Sequence, residues 1–289
     1  MLKTPDPPRA AFLPMRGGFG TAFWRFIPVR GGFIQGKDAT LEPDILEGAE
    51  EFSFDGGPVG ALLVHGFTGS PQGLRGLGEY LAAQSIAVEG IRLPGHGTTW
   101  QDLNARRSSE WVAAVEQGYA KLAPGRDKVF LVSLSFGAAL AIDFAARHPD
   151  KVSGLVTLAG MVLVKDPRRF LSRVIARLTP SIAGVGNDIA DPEGKEIAYD
   201  RLPTAAGHQM LQFIKLARES LPKVSCPLLV MHSHNDHTVH PANANEIHDR
   251  AASTDKRLIW VDDSYHVITL DVDRLKVYES TYEFIRDRS

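Results

Sequence analysis

The sequence contains a single cysteine, Cys226, among its 289 residues. One thiol cannot form an intramolecular disulfide, so a disulfide-stapled fold is excluded and a reducing compartment is expected. Long hydrophobic runs are also lacking: the longest mainly apolar stretch, residues 152–164, is shorter than the ~18 residues that a membrane-spanning helix needs. The N-terminus has no hydrophobic core of an export signal. These absences predict a soluble, cytoplasmic protein.

Neither sign of charge dominates the chain. Lys and Arg number 32 against 34 Asp and Glu, and the formal net charge is −2. This balance excludes an overall basic footprint, so no nucleic-acid partner is expected. Hydrophobic residues at 44% and charged residues at 23% are near the globular average, which excludes a disordered or collagen-like chain. A chain of this length can bury a sizeable core without disulfides.

The first 37 residues differ from the rest in charge and aromatic content. They carry six basic residues against one acidic residue, together with six aromatic residues. Residues 1–44 are therefore predicted to form an N-terminal arm. In one interpretation the aromatic side chains dock on the body of the protein, which is favoured because basic residues near a chain end are common. In the other, residues 1–37 make peripheral contact with an anionic membrane.

From residue 57 onward, short apolar runs alternate with helical patterns. Buried strands that alternate with helices predict an α/β protein with a mostly parallel, doubly wound sheet and helices on both faces. Helical patterns cover residues 71–81, 111–122 and 138–146. The predicted strands are residues 61–64, 88–93, 128–133, 154–159, 228–231 and 258–261.

The alternation is interrupted after the fourth predicted strand. The insertion, residues 161–222, shows helical patterns at 170–178 and 207–221 and no convincing strand. An insertion of this length between sheet strands is most simply a small helical cap. The predicted organisation is therefore an arm (1–44), an α/β core (45–160 and 223–289) and a helical cap (161–222).

The stretch SLSFG at residues 133–137 lies where the third predicted strand turns into a helix. It is close to the G-x-S-x-G elbow, in which a tight turn projects the serine hydroxyl from the top of the sheet. The positive end of the following helix then faces a developing oxyanion. Ser133 occupies the first glycine position, so the turn is predicted to be strained but buildable. The alternative is that Ser135 merely caps the helix.

Asp236 and His266 supply the partners that a nucleophilic Ser135 needs. Asp236 follows the fifth predicted strand and His266 follows the sixth. Serine, acid, histidine is the chain order of α/β-hydrolases. All three residues fall just beyond the carboxyl ends of parallel strands, where open α/β sheets place their sites. The rival acids are Asp262, Asp263 and Asp271.

The stretch HGFTG at residues 65–69 follows the first predicted strand. A loop at this place supplies one backbone N–H of the oxyanion hole, beside the N–H of the residue after the nucleophile. The backbone amides of Phe67 and Phe136 are therefore the predicted oxyanion donors. His65 and His96 are predicted to hold their loops by hydrogen bonds.

The stretch HSHNDH at residues 232–237 matches an HxHxDH zinc signature, that of metallo-β-lactamase-like hydrolases. That fold needs its motif early and further ligands well downstream, and too little chain follows His237 to supply them. Zinc would also leave the elbow at Ser135 unexplained. A zinc hydrolase is therefore the weaker alternative, and no cofactor or metal is predicted.

Seven stretches of the sequence resemble the bacterial monoacylglycerol lipases and closely related small carboxylesterases of the α/β-hydrolase superfamily. The resemblance runs from about residue 45 to residue 285. The stretches are GPVGALLVHGFTG (57–69), GHGT (95–98), WVAAVEQGY (111–119), NDI (187–189), KEIAY (195–199), DHTV (236–239) and SYHVITLD (264–271).

The resemblance implies an ester hydrolase with the Ser135–Asp236–His266 triad and a small helical cap over an apolar acyl tunnel. It also implies that Glu196, in the KEIAY stretch, binds the glycerol hydroxyls of a substrate. By its charge alone, Glu196 is equally a solvated helix residue.

The predicted function is a serine ester hydrolase that cleaves monoacylglycerols or similar carboxylic esters through an acyl-enzyme. A small lipid ester is the predicted partner. The alternative from another class is a non-catalytic, ligand-binding relative of the hydrolases. Dehalogenases and epoxide hydrolases are disfavoured because they use an aspartate where Ser135 stands.

Overall fold

The computed structural model describes residues 43–165, 171–184 and 187–289. The predicted N-terminal arm lies outside these residues except for Pro43 and Asp44, and so does the predicted membrane contact of residues 1–37. Within the described ranges, no helix is both long enough and apolar enough to cross a membrane.

The secondary structure follows the predicted alternation of strands and helices, with additional short elements. A 3₁₀ turn at Leu221–Lys223 follows the last helix of the insertion. In chain order the other elements are β1 (Phe52–Phe54), β2 (Val59–Val64), α1 (Gln72–Ala83), β3 (Ala87–Ile91), α2 (Trp100–Ala105), α3 (Ser108–Leu122), β4 (Lys128–Leu134), α4 (Phe136–Arg147), β5 (Gly154–Leu158), α5 (Ser172–Leu178), β6 (Ser181–Ala183), β7 (Arg201–Pro203), α6 (Thr204–Ser220), β8 (Leu228–Ser233), α7 (Ala242–Arg250), β9 (Lys256–Val261) and α8 (Arg274–Arg286).

Seven of these strands form one sheet in the order β1-β3-β2-β4-β5-β8-β9. Every neighbouring pair is parallel except β1 with β3, which is antiparallel. The predicted mostly parallel sheet is therefore confirmed. The carboxyl ends of the parallel strands meet at one edge, and Val64 at the end of β2 pairs with Ser133 of β4. The loops that follow β2 and β4 consequently leave the sheet side by side.

Both faces of the sheet are buried. Side chains alternate along β2, so that Leu62 and Val64 belong to one buried cluster and Ala61 and Leu63 to the other. The first cluster includes residues of α3, α4, α6 and α7, and the second includes residues of α1 and α8. Strands buried on both faces carry near-continuous apolar runs, which is why the sequence predicted these strands.

The insertion is not wholly helical. The short strands β6 and β7 pair antiparallel, with Ile182 opposite Leu202. Three-residue strands are too short to show a pattern, so the sequence did not predict them. Helix α6 buries Met210, Phe213 and Ile214 in the same cluster as α4, while α5 packs on α6 and leaves Leu178 80% exposed.

Helix α4 crosses the end of β2 without room for a side chain at position 137. A Cβ added to Gly137 would lie 2.3 Å from the Val64 carbonyl oxygen and 2.6 Å from the His65 carbonyl oxygen. These are backbone atoms of a central strand and its loop, which cannot move independently of the sheet. Glycine at this position therefore sets how closely α4 approaches β2.

Gly137→Ala is expected to lower the free energy of unfolding by about 1–3 kcal/mol or more, because α4 must shift to admit the methyl group. Gly207→Ala is the matched control: nothing lies within 4 Å of a Cβ added there, in α6. Alanine is the better helix former, so this variant should gain about 0.5–1 kcal/mol. Urea unfolding measures both. A Gly137→Ala protein as stable as wild type would contradict the packing argument.

Candidate active site

Ser135 is the single residue between β4 and α4. Its backbone has φ 55° and ψ −119°, a sparsely populated region for a residue with a Cβ. The Ser135 amide donates to the Leu158 carbonyl at 2.9 Å, and the Ser135 carbonyl accepts from the Met161 amide at 3.0 Å. Neighbouring β5 and the residues after it thus hold the turn, and the elbow is formed as predicted.

The strain lies at Ser135 and not at Ser133, where the sequence had placed it. Ser133 is a regular residue of β4, paired with Val64 and Thr157. Its hydroxyl is fully buried and donates to the Val156 carbonyl at 2.9 Å. A serine in place of the elbow glycine is therefore accommodated by a hydrogen bond to the neighbouring strand.

Ser135, His266 and Asp236 form one continuous chain of contacts. The Ser135 Oγ lies 3.0 Å from His266 Nε2, and His266 Nδ1 lies 2.8 Å from Asp236 Oδ2. All three residues are buried. Because a carboxylate only accepts, Nδ1 carries the ring proton and Nε2 is free to accept from the serine hydroxyl. In this tautomer the imidazole can take the proton of Ser135.

Of the four candidate acids, Asp236 is the one in contact with His266. The side chain of Asp262 is 71% exposed and pairs with His234. Asp263 is also exposed. Asp271 is buried but its carboxylate accepts four backbone N–H groups, those of residues 190, 191, 265 and 272, and so holds loops together.

The surroundings of Asp236 and His266 favour a charged Asp236 carboxylate beside an imidazole that gains a proton readily. Burial alone would raise the pKa of Asp236, but contacts from His232 and His266 and from the Val239 amide outweigh burial and hold that pKa well below its usual range. Burial lowers the pKa of His266, yet the hydrogen bond and charge of Asp236 raise it above the usual value. Asp236 therefore stabilises an imidazolium at position 266.

The amides of Phe67 and Phe136 belong to the two segments beside Ser135, which are the loop after β2 and the start of α4. Phe136 is the first residue of α4, and the Phe67 loop passes so close that a Cβ on Gly66 would be 3.1 Å from the Ser135 Cβ. Within the described residues neither amide donates a hydrogen bond. The two rings pack edge to face at 5.8 Å, and each also packs on Trp111. This aromatic cluster packs the loop after β2 against the start of α4.

His65 joins the loop after β2 to the loop after β3. Its Nε2 accepts from the Leu93 amide at 3.1 Å, so Nδ1 carries the proton and donates to the Gly66 carbonyl at 2.8 Å. Burial lowers the pKa of His65 to about 4, which keeps the ring neutral near pH 7. His96 contacts the Pro94 carbonyl in the same region. Both histidines hold loops, as predicted.

Glu196 extends from the insertion toward the start of α1. The side-chain amide of Gln72 bonds the backbone on either side of it, at Lys195 and Ile197. Its carboxylate lies against the loop after β2, where a Cβ on Gly69 would be 2.5 Å from Oε1. Among the described residues this carboxylate has no hydrogen bond or ion pair. Burial therefore raises the pKa of Glu196, and the nearby charge of His266 offsets this only in part.

Asp188, also in the insertion, bridges the loops that carry the acid and the histidine. Its carbonyl accepts from the amides of His266 at 3.0 Å and Val267 at 3.2 Å. Its carboxylate accepts from the amide of His237 and the hydroxyl of Thr238. The sequence assigned no role to this residue. Its one signal was its place in the NDI stretch.

The HxHxDH stretch does not converge on a common point. In the described part of the chain, no three His, Cys, Asp or Glu residues are arranged to hold a metal ion. The three histidines have separate partners: His232 contacts Asp236, His234 contacts Asp262, and His237 contacts Asp188.

The chain matches the model of a known protein family. The family model described as serine aminopeptidase, S33, matches residues 60–273, which include Ser135, Asp236 and His266. The chain belongs to this family.

Two known proteins resemble the chain over nearly their whole length. A thermostable monoacylglycerol lipase of Bacillus sp. (strain H-257) is 37% identical over 240 residues, which are 83% of this chain and 95% of the lipase. A carboxylesterase of Bacillus subtilis (strain 168) is 28% identical over 237 residues, 81% of this chain and 95% of the esterase.

Solved structures agree with the fold. A structure from work on the metagenome-derived lipolytic enzymes LipS and LipT has a TM-score of 0.82 at 34% identity. The match covers 84% of this chain and 100% of the chain in that structure. Monoacylglycerol lipase from Paleococcus ferrophilus has a TM-score of 0.68 at 21% identity, which supports the fold alone; it covers 83% of this chain and 98% of that one. The predicted resemblance and the α/β-hydrolase fold are confirmed, and the protein is a carboxylic ester hydrolase.

Ser133→Gly is expected to lower the free energy of unfolding by about 1–2 kcal/mol, because the buried hydrogen bond to the Val156 carbonyl is lost and a strand glycine is added. The hydrolysis rate should not change, since Ser133 carries no strain. Ser53→Gly, at the exposed residue of edge strand β1, is the control for the glycine effect alone. Urea unfolding and p-nitrophenyl ester kinetics measure the two effects. A rate increase in Ser133→Gly would instead locate strain at position 133.

Proposed function

We propose that this protein hydrolyses monoacylglycerols, with Ser135 as the nucleophile, His266 as the general base and acid, and Asp236 as the residue that orients His266. The observation that carries this proposal is the chain of contacts from the Ser135 hydroxyl through both nitrogens of His266 to Asp236. Such a constellation at a strand-to-helix elbow is the arrangement used in acyl transfer.

In the acylation step, His266 Nε2 takes the proton of Ser135 as Oγ bonds to the ester carbonyl carbon. The carbonyl oxygen becomes an oxyanion, to which the amides of Phe67 and Phe136 donate. Asp236 stabilises the imidazolium. The imidazolium then gives its proton to the leaving glycerol oxygen as the carbon–oxygen bond of the ester breaks, which leaves an acyl-enzyme on Ser135.

In the deacylation step, a water molecule replaces the alcohol. His266 takes a proton from this water as its oxygen bonds to the acyl carbon. The second oxyanion uses the same two amides. When the bond to Ser135 Oγ breaks, His266 returns the proton to the serine, and the fatty acid leaves.

Glu196 favours a glycerol ester over a simple alkyl ester. Its carboxylate has no partner among the described residues and lies beside the loop after β2 that carries Phe67. A carboxylate there can accept hydrogen bonds from the two free hydroxyls of a monoacylglycerol. The 37% identity to a monoacylglycerol lipase supports the same substrate. We assign residues 161–222 as the cap, because Asp188 and Glu196 of this insertion lie against the site's loops.

Ser135→Ala is expected to abolish both hydrolysis of p-nitrophenyl esters and labelling by a fluorophosphonate probe, with kcat lowered by at least about 10⁴-fold because the nucleophile is lost. The urea midpoint should stay near that of wild type. Adding His266→Ala should cost little more, since triad residues act as a unit.

Full turnover by Ser135→Ala would overturn the assignment of the nucleophile. Activity that EDTA removes, without any labelling by the probe, would support the zinc alternative. An aminoacyl p-nitroanilide, assayed in parallel, tests the aminopeptidase named in the family's description, and the proposal expects it to be the poorer substrate.

Glu196→Ala is expected to lower kcat/KM for monoacylglycerol by about 10- to 100-fold, because hydrogen bonds to a charged group are worth about 1.5–3 kcal/mol each. Hydrolysis of a p-nitrophenyl ester should hardly change, since that substrate has no glycerol. Glu193→Ala, an exposed glutamate of the same segment, is the matched control and should affect neither substrate. Equal losses on both substrates would mean that Glu196 supports the fold of the insertion instead.

A further inference from the structure

A buried histidine that the proposed reaction does not use lies beside the triad acid. His232 is in β8 and is fully buried. Its Nε2 is 2.9 Å from the Val239 carbonyl oxygen and 3.1 Å from Asp236 Oδ2. Its other ring nitrogen, Nδ1, has no hydrogen-bond partner within the described residues.

The surroundings of His232 define its tautomer. Both groups near Nε2 are acceptors, a carbonyl and a carboxylate, so Nε2 carries the proton. The N–H donates to the Val239 carbonyl with Asp236 Oδ2 beside it. No donor among the described residues reaches Nδ1, and a buried acceptor without a donor destabilises the fold relative to an apolar side chain of similar shape. The benefit of a histidine at this position therefore comes from the contacts of Nε2.

Those contacts act on the turn that presents Asp236. Oδ1 of Asp236 accepts from the amides of Thr238 at 2.9 Å and Val239 at 2.6 Å. His232 holds the other end of the same turn through the Val239 carbonyl. It also touches Oδ2, the oxygen that accepts from His266 Nδ1 at 2.8 Å. His232 thus constrains both the turn and the particular carboxylate oxygen that His266 uses.

We propose that His232 is a positioning residue for the Asp236–His266 pair: it anchors the Asp236 turn at Val239 and orients Oδ2 toward the triad histidine. The proposal rests on the function proposed above. His232 does not touch the reacting atoms and acts through Asp236 alone.

Loss of this anchor should alter His266 in a defined direction. The charged groups that act on His266 are Asp236, Glu196 and Asp188, and Asp236 is the strongest. Burial lowers the pKa of His266 and Asp236 raises it, so a looser Asp236 lets that pKa fall. The acid limb of kcat/KM reports the pKa of the free base. It should therefore move to lower pH, while the plateau falls because the imidazolium is less stabilised.

The test compares four variants on a p-nitrophenyl ester from pH 4 to pH 9. His232→Leu removes the donor at Nε2. His232→Asn also removes it, because the asparagine amide is too short to reach that position. His232→Gln restores an N–H near that position. His234→Leu is the matched control, a neighbouring histidine whose ring is half exposed and stacks on Trp260 at 4.2 Å. Thermal melting identifies any variant that does not fold. If His232→Leu does not fold, the conclusion rests on His232→Asn.

We expect His232→Leu and His232→Asn, the removal variants, to lose on the order of 10-fold in plateau kcat with KM unchanged. A loss of this size corresponds to one hydrogen bond near a charged group. Their acid limb should lie at lower pH, and His232→Gln should recover both properties. His234→Leu should match wild type in plateau and limb.

A folded removal variant with the plateau and limb of wild type would overturn the positioning role. An acid limb that moves to higher pH would also overturn it, because that shift would mean that His232 weakens the effect of the Asp236 charge on His266. So would failure of His232→Gln to recover the limb. Ser135→Ala, run alongside, separates the two proposals, since its full activity would refute the triad itself and its inactivity leaves only His232 in question.

Discussion

The close approach of α4 to the end of β2 is the constraint on which the site depends. Gly137 permits it, because any Cβ there would overlap the carbonyl oxygens of Val64 and His65. With the helix this close, only one residue is left to turn the chain, and Ser135 adopts φ 55° to do so. The same approach brings the start of α4 beside the loop after β2. The ring of Phe136, the first residue of α4, accordingly packs edge to face on the ring of Phe67 in that loop at 5.8 Å.

The insertion is bonded to the loops of the sheet rather than merely lying over them. The carbonyl of Asp188 fixes the backbone at His266, and Gln72 fixes the backbone around Glu196. The hydroxyl of Tyr199 accepts from the Thr98 amide and donates to the Gly95 carbonyl. Residues from 187 to 199 therefore help to build the site, and a displacement of this segment would disturb the histidine loop directly.

The surroundings of two carboxylates near His266 shift their pKa values in opposite directions. Asp236 accepts from backbone amides and from histidines, so its pKa is lowered despite burial. Glu196 has no donor among the described residues, so burial raises its pKa. The first environment keeps a permanent charge that stabilises an imidazolium, and the second leaves acceptor capacity for hydroxyl groups of a ligand. The difference arises from hydrogen-bond donors and not from depth in the protein.

The sequence by itself determined the buried strands, the elbow and the chain order of Ser135, Asp236 and His266, because apolar runs and turn motifs are local patterns. It missed β1 and α2, which are short, and α7 and α8, whose amphipathic patterns were not recognised. It also located the strain at Ser133, where in fact a hydrogen bond across to β5 accommodates the side chain. Only the tertiary structure decided which of four acids meets His266 and placed His232 against Asp236. Those contacts join residues from separate strands and loops, and no local pattern encodes the distance between them.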